Sequence, residues 1–134
     1  MKTKAAVILS HNSPFKITEI TLADPKENEV LIKVHAVGVC HSDWHLVTGD
    51  TKHALPSVPG HEGCGEIIGL GYGCEGLEKG QKVILNWAPN CGHCFYCRKG
   101  RPSLCEAYNH AIWSGYLMDG TSRLSLQGDT IYHY

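Results

Sequence analysis

The sequence predicts a mainly β, barrel-like domain. Three observations carry that expectation. Short segments rich in β-branched residues recur between glycine, proline and polar turns. No long amphipathic helical pattern interrupts them. A cysteine-dense stretch, residues 90–105, shows no core pattern of its own, so something other than hydrophobic packing must hold it.

The elements follow in order. Residues 2–9 and 16–22 suit a short antiparallel pair, with His11-Asn12-Ser13-Pro14 as the turn. Residues 23–29 form a polar connector. Val30 to Val37 is the clearest strand, and its partial alternation fits a sheet with one buried face. Gly38 turns the chain and leaves Cys40 at the strand's end. Residues 42–47 suit a short helix or turn, with Ser42 or Asp43 available to cap it. Residues 49–59 read as loop. Strands are expected at 65–70 and 81–87. The last 25 residues, 110–134, are mixed and end in a hairpin, 123–126 and 130–133 around Gln127-Gly128-Asp129.

Composition narrows the function classes. The 134 residues suffice for one domain with a core. Twelve Lys and Arg against 13 Asp and Glu leave no basic excess for a nucleic-acid or membrane-surface partner. No apolar run approaches the roughly 20 residues of a membrane span. The apolar part of the N-terminus is too short for a signal peptide, and His11-Asn12 interrupts it. Seven cysteines, an odd count, fit metal binding or catalysis in the cytosol better than disulfides.

Two motifs carry chemistry. Gly60-His61-Glu62-Gly63-Cys64-Gly65 sets an imidazole beside a carboxylate, and Cys40 precedes it. Cys, His and Glu are ligand types of a catalytic zinc, which keeps one position open. The glycines there are expected to leave no side chains crowding a metal and to let the backbone approach closely. The second motif is Cys91, Cys94, Cys97 and Cys105, spaced C-x2-C-x2-C-x7-C. Four thiolates this close can wrap one zinc in a closed, structural site. The spacing departs from the ferredoxin patterns, which ranks an iron–sulfur cluster below zinc. Cys64 and Cys74 read as small buried apolar residues. Gly71-Tyr72-Gly73-Cys74-Glu75-Gly76 matches G-x-G-x-x-G, but a strand pattern follows where a dinucleotide site needs a helix, so it reads as a turn.

These motifs, in this order, resemble the zinc-containing alcohol dehydrogenases of the medium-chain dehydrogenase superfamily. The resemblance rests on Gly38-Val39-Cys40-His41-Ser42-Asp43, on Gly60-His61-Glu62-x-x-Gly65, and on the four cysteines. Leu117 to Leu124 is similar to a loop of the glutathione-dependent formaldehyde dehydrogenases. Residues 84–87 and 97–102 resemble their mycothiol-dependent relatives. The resemblance implies a chaperonin-10 (GroES)-like, partly open β-barrel with a four-cysteine zinc lobe at 90–105. It also implies that residues 1–134 are the N-terminal part of the catalytic domain, truncated ahead of a Rossmann domain that this chain lacks. The implied activity is reversible, NAD-dependent oxidation of a small alcohol, or of a thiol–formaldehyde adduct, in a homo-oligomer (dimer or tetramer). The truncated chain by itself is expected to be inactive.

The resemblance also assigns residues. A catalytic zinc would sit on Cys40 and His61, with Glu62 in place of a downstream cysteine ligand. It would acidify the alcohol. Ser42 would pass the proton toward His45, which otherwise reads as a helix-surface residue. Asp43 would orient His61, a role compatible with capping. His41 falls where a basic residue meets the cofactor pyrophosphate. Trp87 would wall the substrate pocket, although core packing accounts for it nearly as well. The competing functional reading is a non-catalytic zinc-bound β-barrel module. It leaves Cys40, Ser42, His45, His61 and Glu62 without a purpose.

Overall fold

A computed structural model describes residues 1–134, the side chain of His110 excepted. Strand β1 (Lys2–Val7) pairs antiparallel with β2 (Lys16–Leu22), as the flanking alternation requires. β3 (Val30–Val37) leads to helix α1 (His41–Thr48). β4 (Ser57–Val58) and β5 (Gly63–Leu70) follow, then β6 (Lys82–Ile84). Helix α2 (Phe95–Arg98), a 3₁₀ turn at Pro102–Leu104 and helix α3 (Glu106–Ser114) come next. The chain closes with β7 (Leu124–Leu126), β8 (Asp129–Thr130) and β9 (Tyr132–His133).

The strands form three small sheets, ordered β1-β2-β7-β8, β3-β5-β6 and β4-β9. A bridge from Ile8 to Ser57 stitches the first sheet to the third. No β-bridge among the described residues joins the β3-β5-β6 sheet to the others, so the barrel is partly open there. Two clusters make the core. Val7, Ile20 and Ile131 pack under the first sheet. Ile8, Leu46, Val47 and Tyr134 pin α1 against the end of the chain.

Several expectations need correction. Residues 49–59 are not all loop, because Ser57–Val58 pairs in parallel with Tyr132–His133. The strand expected over 81–87 stops at Ile84. The chain then turns, with Asn86 accepting the N–H of Ala88. β3 does not bury one face: it is half-buried to Ile32 and exposed from Lys33 to Val37, where the described residues place nothing over it. Helix α3 lies where no helix was expected. Its signals are Glu106 in the first turn and Gly115, left-handed at φ 75°, as the stop. The cap of α1 is Cys40 rather than Ser42 or Asp43. Cys64 and Cys74 are only half-buried. The G-x-G-x-x-G stretch is a turn between β5 and β6.

Candidate metal centres and the adjoining cavity

The β3–β5 ladder builds the first centre. Its register sets Val37 opposite Gly63, so the residues beyond each strand end, Cys40 and His61-Glu62, meet. One ligand atom from each of Cys40, His61 and Glu62 lies within 4.8 Å of the others. Helix α1 adds the supporting groups. Asp43, buried in its first turn, accepts the N–H of Cys40 through Oδ2 at 2.9 Å. Its other oxygen, Oδ1, faces His61 Nδ1 at 3.5 Å, and neither buried atom has another partner. That contact favours a proton on Nδ1 and leaves Nε2 as the ring's free lone pair. Ser42 Oγ lies 3.2 Å from Nε2. The donor set of thiolate, imidazole and carboxylate, with a carboxylate behind the imidazole, fits a zinc ion.

The glycines allow the close approach expected of them. A Cβ on Gly38 would strike the Glu62 carboxylate, and one on Gly65 would strike the carbonyl of Lys33. They let Glu62 fold back and let β3 and β5 approach.

His45 and His41 lie on the outer side of α1, their rings edge to face at 4.6 Å. His45 Nδ1 is 3.3 Å from Asp50 Oδ2. Asp50 is held below the ordinary carboxylate range, first by the Thr48 hydroxyl and then by His45.

The second centre is the cysteine lobe. Sulfur–sulfur distances are 3.5 Å for Cys94–Cys97 and 4.0 Å for Cys91–Cys97 and Cys94–Cys105. These lengths exclude disulfides. A tetrahedron of zinc–sulfur bonds has edges of about 3.8 Å, so the four sulfurs fit one zinc. The N–H of Cys91 points at Cys105 Sγ, 3.3 Å away, and that of Cys94 at Cys91 Sγ, 3.4 Å away. The Cys91 N–H, chiefly, pulls the Cys105 thiol down to about 6. The Cys97 thiol is pushed up to about 11 by burial first and Cys94 second. Unequal thiols of this kind are levelled when a metal takes all four as thiolates. His93 bonds the carbonyl of Cys91 and stands exposed outside the sulfurs.

A cavity of about 420 Å³ opens beside His61. Trp87 forms part of its wall, 5.3 Å from the His61 ring and edge-on to Trp113. Helix α3 and the loop after it supply Tyr108, Ile112, Tyr116, Leu117 and Met118. Sequence reasoning missed these walls, because their contribution depends on the unexpected helix.

The alcohol dehydrogenase GroES-like domain matches residues 26–125. The chain belongs to this family. S-(hydroxymethyl)glutathione dehydrogenases of Escherichia coli and Synechocystis sp. are 42% and 41% identical over all of this alcohol dehydrogenase domain. The chain spans 37% of the length of these curated relatives. Among solved structures, an alcohol dehydrogenase zinc-binding domain protein from Burkholderia ambifaria superimposes with a TM-score of 0.91 at 30% identity. It covers 99% of this chain and 36% of its own. Benzyl alcohol dehydrogenase from Acinetobacter calcoaceticus gives 0.87 at 30% identity, over 99% and 35%. The fold is therefore the GroES-like one. The family and the cysteine cluster together support zinc binding. No helix among the described residues is long and apolar enough to cross a membrane.

Proposed function

We propose that residues 1–134 are the N-terminal part of the catalytic domain of a zinc- and NAD-dependent alcohol dehydrogenase. Its substrate is an alcohol or a thiol–formaldehyde adduct. One observation carries this reading: Cys40, His61 and Glu62 converge in a chain of this family, and His61 of the three lines an apolar cavity. Cys40, His61 and Glu62 would hold the catalytic zinc, and Cys91, Cys94, Cys97 and Cys105 a structural one. Bound at the first site, zinc supplies Lewis acidity that makes an alcohol hydroxyl easier to deprotonate near neutral pH.

The chain's own residues do the rest. Asp43 fixes the tautomer and tilt of His61. Ser42, 3.2 Å from His61 Nε2, is positioned to accept the hydroxyl proton. His45, half-exposed and tied to Asp50, is the group that can hand that proton to water. Trp87 and the α3 wall exclude water from the reacting carbon. The nicotinamide cofactor that the family implies finds no dinucleotide fold among the described residues, where the G-x-G-x-x-G stretch is a turn between antiparallel strands. His41, exposed at the start of α1, is the one residue assigned to it. The reading places the protein in the cytosol, where seven reduced cysteines persist. Exposed Val39 and Ile84 support an assembly of copies in the full-length form.

The test is Ser42→Ala in the full-length protein, assayed for alcohol oxidation with NAD. Turnover should fall about a hundredfold or more with both zinc equivalents retained. Unchanged turnover, where chemistry limits the rate, would remove Ser42 from proton transfer. The 134-residue chain alone should show no saturable NADH binding by fluorescence titration, and binding there would contradict the assignment of the cofactor to other residues.

A further inference from the structure

Helix α1 has eight residues, too few to hold itself in place. Whatever fixes its two ends therefore fixes Ser42, Asp43 and His45. The N-terminal end is tied locally, by Asp43 Oδ2 on the N–H of Cys40. The C-terminal end is tied from a distance. An α-helix leaves its last carbonyls without intrahelical donors. In α1 these include the carbonyls of Leu46, Val47 and Thr48, and the turn between β1 and β2 meets all three. His11 Nδ1 donates to Leu46 O at 3.1 Å, and the N–H of Asn12 donates to Val47 O at 2.7 Å. Asn12 Nδ2 reaches Thr48 O at 3.5 Å. These donors lie 35 or 36 positions upstream of their acceptors. The His11 ring also rests on Gly49, where a Cβ would stand 3.1 Å from its Cγ. Ile8, just ahead of the turn, shares a buried cluster with Leu46 and Val47.

We propose that His11 and Asn12 are positioning residues for proton transfer: by holding the C-terminal end of α1 they set where Ser42 and His45 stand. The proposal rests on the dehydrogenase reading above and adds residues to its machinery. His61 reaches the site from the β5 side, so the 3.2 Å between Ser42 Oγ and His61 Nε2 depends on how α1 is tilted. A two-turn helix released at one end pivots about the other, and Ser42 has little slack at that distance. A misplacement of 1 Å caused far from the chemistry can lower a rate about a hundredfold, so a shift of a few tenths should lower it about tenfold. Substrate affinity should be spared. None of the residues lining the cavity comes from α1 or from the turn. The sequence reads residues 11–14 only as a hairpin turn, because the carbonyls they serve lie on a remote element.

The experiment uses the full-length, zinc-loaded protein, well below its Tm. His11→Phe keeps a ring over Gly49 and removes the donor. His11→Asn removes the ring and offers Nδ2 where Nδ1 stood. Ser13→Ala deletes the Ser13–Ser10 bond inside the same turn and leaves the bonds to α1 in place. Alcohol oxidation with NAD is measured in ordinary and heavy water, and amide exchange is followed over residues 45–51. In His11→Phe, kcat should fall about tenfold, with KM within about twofold, both zinc equivalents retained and a larger solvent isotope effect. Its amides at Gly49 and Thr51, which bond His45 O, should exchange at least tenfold faster. His11→Asn should return kcat and exchange to within about twofold of the parent, and Ser13→Ala should leave both unchanged. Faster exchange in His11→Phe with unchanged kcat or an unchanged isotope effect overturns the proposal. So does a His11→Asn protein as slow as His11→Phe, or a Ser13→Ala protein slowed to the same extent. A parent that oxidises no alcohol refutes the dehydrogenase reading instead. Exchange then decides alone: faster exchange in His11→Phe, restored in His11→Asn, upholds the hold of the turn on α1, and exchange equal to the parent's overturns it.

Discussion

Asp43 serves two groups at once. One carboxylate oxygen holds the N–H that opens α1, and the other faces the imidazole of His61. Asp43→Asn keeps the shape and removes the charge. Zinc retention at Cys40, His61 and Glu62 should weaken about 10–100-fold, while the cysteine lobe keeps its ion. Chelator competition with two resolved zinc equivalents measures this, and equal loss at both sites would count against a local role for Asp43. The residue types of this centre were legible in the sequence, because few other purposes gather Cys, His, Glu and Asp among glycines. Their meeting was not legible from spacing. It depends on the pairing of β3 with β5, including two register shifts that no local pattern announces. The close approach that the glycines allow was legible, but the atoms they accommodate, those of Glu62 and Lys33, were not.

At the scale of elements, the cysteine lobe has no core to fall back on. Phe95 and Leu104 are exposed, and α2 is a single turn. Cys105 alone of the four cysteines is buried. Removing its metal should therefore unfold residues 91–105 without melting the β1–β2 pair. Hydrogen exchange after chelation checks this. Amides of 94–101 should lose protection while those of β1 and β2 keep it, and protection retained in the lobe would contradict a zinc-held fold. Elements with local signals were legible: β1 and β2 from alternation around a polar turn, and a hairpin from the glycine after β7, although its second arm is Asp129–Thr130 rather than 130–133, because Tyr132–His133 pairs with β4 instead. Gln127 and Gly128 both take positive φ, 55° and 96°, which suits a tight two-residue hairpin. β4 was hidden because two residues between prolines carry no periodicity, and its partner is remote.

For the whole molecule, the strongest long-range polar tie is one that the sequence did not suggest. Arg123, 8% exposed, donates to both carboxylate oxygens of Glu29, 94 positions away, and also to Asp119. Lys26 completes the group on Asp119. It fastens the loop that walls the cavity to the connector ahead of β3. Arg123→Gln should cost about 2 kcal/mol through the Glu29 contact, read as a lower Tm. Arg123, chiefly, holds the carboxyls of Glu29 and Asp119 below their ordinary range. The folded state thus binds fewer protons than the unfolded one as pH falls below about 4.5. The stabilisation is complete above that pH and drains away below it. The Tm gap between parent and Arg123→Gln should therefore shrink between pH 6 and pH 3, and a constant gap would disprove the linkage. The parallel pairing of β4 with β9 has a consequence for biosynthesis. Ser57 bonds the carbonyl of Tyr132 across 75 positions, and Tyr134 lies 5.6 Å from His61. A nascent chain that has emerged only as far as α3 already displays Cys40, His61 and Glu62, yet lacks the strand that clamps the approach to them. Closing so long a loop is slow compared with hairpin formation. During translation the cysteine lobe, whose ligands span 15 residues, can therefore capture its ion first. The cavity beside the other centre gains its His133 and Tyr134 wall only after the 132–134 segment leaves the ribosome and docks.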